Sequence, residues 1–136
     1  MSVEETGSIA AELLPMMLSV GTVSLEGPLG AGKTHFVKAV AVALGIRDEV
    51  TSPTFNLLHS YGSGSKRLYH SDWYRLESSS EAQALDLEDY HGDGLLIIEW
   101  GNKFPELLTP GALRILIEPL EAGNKKRLIS WQLATP

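Results

Sequence analysis

Residues 27–34 read Gly-Pro-Leu-Gly-Ala-Gly-Lys-Thr, a complete G-x-x-x-x-G-K-[ST] phosphate-binding loop. Its glycines allow a tight turn that brings main-chain N–H groups up to phosphate oxygens. Lys33 supplies a positive charge for the β- and γ-phosphates, and the hydroxyl of Thr34 is suited to Mg²⁺. The loop therefore predicts that the chain binds a nucleotide.

The sequence on either side of the loop supports this interpretation. Residues 23–26 read as a short buried strand, and residues 34–44 carry apolar side chains at helical spacing. A strand, a glycine-rich turn and a helix N-terminus in that order place an anion where the helix dipole favours negative charge. The segment is therefore predicted to be the first strand–loop–helix unit of an α/β domain.

The remaining pattern predicts one domain over residues 1–136, with a P-loop NTPase-like three-layer α/β fold. Its mixed sheet is expected to have parallel central strands and antiparallel margins. The predicted elements are a helix over 8–18 with a kink or split at Pro15, strands over 55–61 and 68–70, a short helix over 80–87, a buried strand over 95–99, a connector over 105–110, and a terminal hairpin of 113–118 with 127–133.

Composition narrows the function classes. The 136 residues are 43% hydrophobic and 21% charged, as in an ordinary globular domain, and no run is long enough for a membrane span. The absence of cysteine excludes disulfides and thiolate chemistry. The acidic N-terminus lacks a signal region, which predicts a cytoplasmic protein. The net charge of -6 argues against broad, sequence-independent binding of nucleic acid.

Two acids are candidates for the chemistry beside the nucleotide. Glu99 ends the most hydrophobic strand, where nucleotide hydrolases with this loop place an acid that holds Mg²⁺ directly or through water. Asp72 also follows a strand and competes for that role, and two acids at one site can divide the metal and the attacking water between them. The alternative for Asp72 is a helix cap or a turn cap, and the spacing leaves both interpretations open.

The segment 51–55, Thr-Ser-Pro-Thr-Phe, lies where switch proteins keep a threonine that senses the γ-phosphate. A plain turn with Pro53 at its corner is the equal alternative.

Four motifs taken in order resemble the bacterial TsaE (YjeE) family: G-P-L-G-A-G-K-T, T-S-P-T-F, Y-H-S-D-W-Y-R-L and I-I-E-W. The similarity runs from about Thr6 to Trp100. The family consists of small ATPases required for the N6-threonylcarbamoyl modification of adenosine 37 in tRNAs that read ANN codons. His70 belongs to the third motif, where packing beneath the switch segment and a catalytic role are both open.

The resemblance implies a set of site residues. Thr34 and Glu99 would hold Mg²⁺, Asp72 would be needed for hydrolysis, and Thr54 would be the switch threonine, so that Asp72, Glu99 and Thr54 form the catalytic group. The nucleotide would be bound by Thr6 and Arg127 near the adenine, by Trp100 beside it, and by the loop residues Leu29, Gly30, Ala31, Gly32, Lys33 and Thr34.

The resemblance also implies the activity and the partners. An Mg²⁺-dependent ATP hydrolase, slow alone and stimulated by its partners, would dock on a TsaD–TsaB complex and contact tRNA only through it. A small-molecule kinase is the alternative, but kinases of this fold usually carry a lid with several arginines, and only Arg114 and Arg127 follow Glu99. A nucleotide-gated binding module without turnover is the second rival. GTP is disfavoured because the chain has no N-K-x-D motif.

Overall fold

Strand β1, which leads into the phosphate-binding loop, lies inside a six-stranded sheet. The computed structural model describes residues 3–28, 32–47, 58–62, 66–85, 94–108, 111–119 and 127–133. In chain order the elements are α1 (Val3–Val20), β1 (Thr22–Glu26), α2 (Lys33–Ala43), β2 (Leu58–Tyr61), β3 (Leu68–Asp72), α3 (Ser79–Gln83), β4 (Leu95–Glu99), two 3₁₀ turns (Gly101–Lys103 and Pro105–Leu107), β5 (Leu113–Pro119) and β6 (Arg127–Leu133).

The strand order is β2-β3-β4-β1-β5-β6. The three inner pairs, β3 with β4, β4 with β1, and β1 with β5, are parallel. The outer pairs, β2 with β3 and β5 with β6, are antiparallel. The predicted mixed sheet with a parallel centre and antiparallel margins is confirmed.

The two faces of the sheet carry separate apolar clusters. Alternate residues of the central strands point to opposite faces, so Val23 and Leu25 pack on one side together with α1 and α2. On the other side, Leu96 and Ile98 pack with residues of α3 and the second 3₁₀ turn. All five residues of β1 and of β4 are buried, which is why both strands read as continuous runs without polar alternation.

Helix α1 is longer than predicted and continuous through Pro15, so the expected split is wrong. Ala10, Leu13 and Met17 lie on its buried face, whereas Pro15 is exposed. The proline ring therefore points to solvent, where water can satisfy the carbonyl that loses its helical partner. Packing of the buried face against α2 holds the turns on both sides of the proline in one helix.

Helix α2 ends as its sequence predicts. Gly45 has φ +82°, its N–H donates to Val42 O, and the N–H of Ile46 donates to Ala41 O, both at 2.9 Å. This pair of bonds is the Schellman motif, which needs a left-handed residue that glycine adopts without a Cβ penalty. Ile46 is buried, which completes the hydrophobic contact of the cap.

Other boundaries differ modestly from the prediction. Helix α3 covers only residues 79–83. The predicted connector over 105–110 begins with one 3₁₀ turn at Pro105–Leu107, and a second 3₁₀ turn at Gly101–Lys103 precedes it. The two predicted hairpins form, with β2 and β3 paired antiparallel and β5 paired with β6. Residues 51–57 lie outside the described part of the chain. No helix within the described ranges is long and apolar enough to cross a membrane.

Candidate nucleotide and metal site

The acids predicted from sequence lie at one edge of the sheet. Because β3, β4 and β1 run parallel, their carboxyl ends meet there. Asp72 and Glu99 are register partners at the ends of β3 and β4, and Glu99 is opposite Leu25 on β1. The phosphate-binding loop leaves β1 at the same edge, so the two acids and the loop share one site.

Lys33 is the first residue of α2 and is buried inside the loop. Gly32, immediately before it, has φ +102°, a left-handed conformation that suits glycine. The Lys33 ammonium donates to the carbonyl oxygens of Gly27 at 2.7 Å and Pro28 at 2.8 Å, and lies 4.3 Å from the centre of the Trp100 ring. Burial lowers the pKa of Lys33, and the nearby charges of Glu99 and Asp72 oppose that shift.

Thr34 and Glu99 are in direct contact. The Thr34 hydroxyl lies 3.1 Å from Oε2 and 3.3 Å from Oε1 of Glu99, although the two residues are far apart in sequence. The Glu99 carboxylate is buried, and the imidazole Nε2 of His70 lies 2.5 Å from its Oε2. A hydroxyl and a carboxylate side by side at a helix N-terminus are the hard oxygen ligands that Mg²⁺ takes beside phosphates.

Asp72 has a second, local function. Its Oδ1 accepts the main-chain N–H of Tyr74 at 2.9 Å, which is the turn-capping contact that the sequence left open. The same carboxylate lies close enough to Lys33 to raise the pKa of that lysine. Capping the turn therefore does not remove Asp72 from the site.

Trp100 continues from β4 in an unusual conformation. Its φ of 62° and ψ of 32° are left-handed, which a non-glycine residue adopts at a cost of about 1–2 kcal/mol. The main-chain N–H of Trp100 donates to Leu25 O at 2.9 Å, and its ring lies 5.1 Å from that of Tyr74. These contacts hold the indole at the strand end, with one face toward Lys33.

Comparisons with known proteins agree with this geometry. The family described as "Threonylcarbamoyl adenosine biosynthesis protein TsaE" matches residues 1–129. The chain belongs to the TsaE family. The tRNA threonylcarbamoyladenosine biosynthesis protein TsaE of Bacillus subtilis (strain 168) is 41% identical over 128 residues, which cover 94% of this chain and 79% of that protein. The TsaE protein of Treponema pallidum (strain Nichols) is 42% identical over 105 residues, covering 76% of this chain and 77% of that protein.

A solved structure with a similar fold also matches the chain. The crystal structure of Bacillus subtilis YdiB matches with a TM-score of 0.73 and 34% identity, covering 98% of this chain and 82% of that one. The resemblance inferred from four motifs is thereby confirmed as membership of the TsaE family, which belongs to tRNA threonylcarbamoyladenosine biosynthesis.

The other site residues implied by the TsaE resemblance are only partly placed. Thr6 is buried in α1. Arg127 begins β6 opposite Pro119, and the main chain there reaches the same edge of the sheet at which β1 ends, two strands away. Leu29, Gly30, Ala31 and Thr54 lie outside the described residues, so their roles stay predictions.

One charged group of this TsaE-family site was missed from sequence. Glu26, the last residue of β1, accepts two bonds from the Arg114 guanidinium, at 2.7 and 2.8 Å, and one from the Ser24 hydroxyl at 2.8 Å. The bonds to Glu26 raise the pKa of Arg114. A signal was available, because Glu26 ends a buried strand just as Glu99 does. The pair anchors the strand end from which the loop departs.

Proposed function

We propose that this chain is an Mg²⁺-dependent ATPase that drives threonylcarbamoylation of adenosine 37 in tRNAs reading ANN codons by nucleotide-dependent docking and cycling on a TsaD–TsaB complex. The observation that carries the proposal is the contact between Thr34 and Glu99 at the start of α2. A P-loop threonine beside a strand-end carboxylate is the pair of oxygen ligands that positions Mg²⁺ in nucleotide hydrolases of this class.

The residues at the site divide the work of phosphoryl transfer. Thr34 and Glu99 would hold Mg²⁺, which when bound neutralises charge on the β- and γ-phosphates. Lys33 carries the positive charge of the loop, and the main-chain N–H groups at the start of α2 point toward the phosphate position. Asp72 would orient the attacking water, because it lies at the same strand edge as Glu99, which together with Thr34 would serve the metal.

We expect the isolated chain to turn over slowly because of where two of its arginines lie. Arg114 is held by Glu26 on the far side of β1, and Arg75 is exposed to solvent beyond Asp72. Lys33 is a cation placed against the two acids, since the charges of Glu99 and Asp72 both act on its pKa. A missing stabilising arginine costs about 10³–10⁵ in rate, and we propose that docking on the partners brings Arg75 or the switch segment into position.

Partner binding and cofactor use are proposed on the family relation. ATP is the expected nucleotide, and Mg²⁺ the expected metal, because both suit the loop and the oxygen pair. Contact with tRNA is expected to be indirect, since a net charge of -6 disfavours binding to the phosphate backbone.

The test is ATP hydrolysis by the purified chain, alone and with a saturating TsaD–TsaB pair, scored beside tRNA modification. Slow turnover alone and strong stimulation by the pair are expected, and Lys33→Ala should abolish both. Rapid turnover that ignores the partners would contradict the docking model. Phosphate transfer to a small molecule would favour the kinase alternative, and binding without turnover in any mixture would indicate a nucleotide-gated binding module.

A further inference from the structure

His70 lies directly beneath the proposed metal ligand. It is fully buried on β3, opposite Ile97 in the strand register, so its side chain reaches along the same face of the sheet as Glu99. The Nε2 atom lies 2.5 Å from Oε2 of Glu99. Neither side of this contact is open to solvent.

The direction of the hydrogen bond follows from the chemistry of the two groups. An ionised carboxylate only accepts hydrogen bonds, so Nε2 carries a hydrogen atom and donates a hydrogen bond to Glu99. The other ring nitrogen, Nδ1, is buried and has no partner within the described part of the chain. Within the described residues, Glu99 is therefore the hydrogen-bond partner of the buried imidazole.

The two carboxylate oxygens of Glu99 differ in their hydrogen-bond contacts. Oε2 is 2.5 Å from His70 Nε2 and 3.1 Å from the Thr34 hydroxyl, whereas Oε1 has, among the described residues, only the longer Thr34 contact of 3.3 Å. A carboxylate pinned through Oε2 keeps Oε1 aimed away from the histidine. Lys33 attracts Glu99 through its charge, but its ammonium is bonded to the loop carbonyls and does not set that orientation.

We infer that His70 is a positioning residue, which fixes the Glu99 carboxylate so that Oε1 faces Mg²⁺ or a water bound to it. This rests on the proposed function, since the role exists only if Glu99 serves a metal. Groups that orient a metal ligand from behind are worth about 10–100-fold in metal affinity or activity. Loss of the His70 N–H should therefore raise the Mg²⁺ requirement by a factor in that range and leave metal-free nucleotide binding nearly unchanged.

The test measures ATP affinity as a function of Mg²⁺ concentration, with affinity in the presence of a chelator as the second readout. His70→Phe keeps the ring volume and removes the donor, so it should shift the Mg²⁺ dependence by about 10–100-fold. His70→Gln can place an amide N–H near the position of Nε2 and should recover most of the loss. His70→Asn has a shorter reach and should not.

The matched control is His59→Phe. His59 is the register partner of His70 on β2, is half-buried, and is bonded to the Tyr61 hydroxyl, not to an acid of the site. It should leave the Mg²⁺ dependence unchanged. In a Glu99→Gln background, His70→Phe should add no further shift, because the carboxylate that it positions is gone.

The inference would be overturned if folded His70→Phe bound ATP equally more weakly with and without Mg²⁺, or if its Mg²⁺ dependence were unchanged. Either result would leave the ATPase proposal intact. If His70→Phe fails to fold, the His70→Gln and His70→Asn variants provide the test. A smaller shift of the Mg²⁺ dependence in His70→Gln than in His70→Asn supports the inference, and equal shifts overturn it. Absence of Mg²⁺-dependent ATP binding by the unchanged chain would overturn the proposed function, and this inference with it.

Discussion

Replacing Gly101 with alanine should destabilise the protein at the point where β4 meets β1. A Cβ at this position would overlap the Ser24 hydroxyl oxygen, lie 2.8 Å from Ser24 Cβ and lie 3.3 Å from a methyl of Leu108. Ser24 cannot yield, because β1 is paired with β4 on one side and β5 on the other. The turn after β4 must therefore move away from the sheet.

The expected cost follows from this overlap. Forcing an extra methyl group into a packed interior costs about 1–3 kcal/mol in the free energy of unfolding. Moving the turn also disturbs the bond from Trp100 N–H to Leu25 O, which is 2.9 Å long. Loss of that bond is worth about 1 kcal/mol in the free energy of unfolding. Because the Trp100 indole is proposed to lie beside the nucleotide, displacing it should also lower ATP affinity.

Urea denaturation gives the stability change, and ATP titration gives the change in affinity. Gly7→Ala is the control, because a Cβ there meets no atom within 4 Å and the residue lies inside α1. This change should stabilise by about 0.5–1 kcal/mol. Ser24→Gly combined with Gly101→Ala removes both overlapping serine atoms, so the double variant should be more stable than the two single changes predict. Wild-type stability of Gly101→Ala, or strict additivity in the double variant, would refute the packing argument.

Further changes test the charged groups. Lys33→Ala should lower ATP affinity by about tenfold or more in titrations while the chain stays folded. Burial lowers the pKa of Lys33 in the folded state, so its charged form destabilises the fold fully at pH values below that pKa. As the pH rises from there toward 10.5, the folded chain loses the Lys33 proton before the unfolded chain does, and the destabilisation is relieved. Over that range, denaturation should show the free energy of unfolding of the wild type increasing relative to that of Lys33→Ala. Glu99→Gln should raise the Mg²⁺ needed for ATP binding, whereas Asp72→Asn should retain binding and lose turnover in hydrolysis assays. Arg114→Leu should cost about 1–3 kcal/mol in denaturation, because it leaves Glu26 buried without its cation, and Glu26→Gln in addition should restore part of that loss.

The central part of the fold was predictable because local signals there agree. The loop at residues 27–34 specifies a strand before it and a helix after it, and the apolar run at 95–99 specifies a strand covered on both faces. Glu99 follows from the same reasoning, since a parallel strand that ends in an acid delivers it to the loop edge. The extent of α1 did not follow, because the orientation of Pro15 toward solvent depends on which face packs against α2.

The missed contacts join residues that are distant in sequence. Arg114 on β5 reaches Glu26 on the neighbouring parallel strand β1, and no spacing rule connects positions so far apart in sequence. His70 could be read as core or catalytic until the register of β3 with β4 placed it beside Glu99. Periodicity identifies a strand and its buried face, but a polar partner on another strand depends on sheet order and register.

The position of β1 has a consequence for how the chain folds. Thr22 pairs with Leu96 on β4 and Val23 with Leu113 on β5, so most of the chain separates this strand from its partners on either side. Such non-local parallel pairings are slow to form, because the loop-closure entropy is lost before the contacts are gained. During synthesis β1 is made well before β4 and β5, so its pairing with these two strands must follow their synthesis. In a nascent chain that ends before β5, the sheet that supports the phosphate-binding loop is incomplete. Nucleotide binding is therefore expected to appear late in synthesis and in a single step.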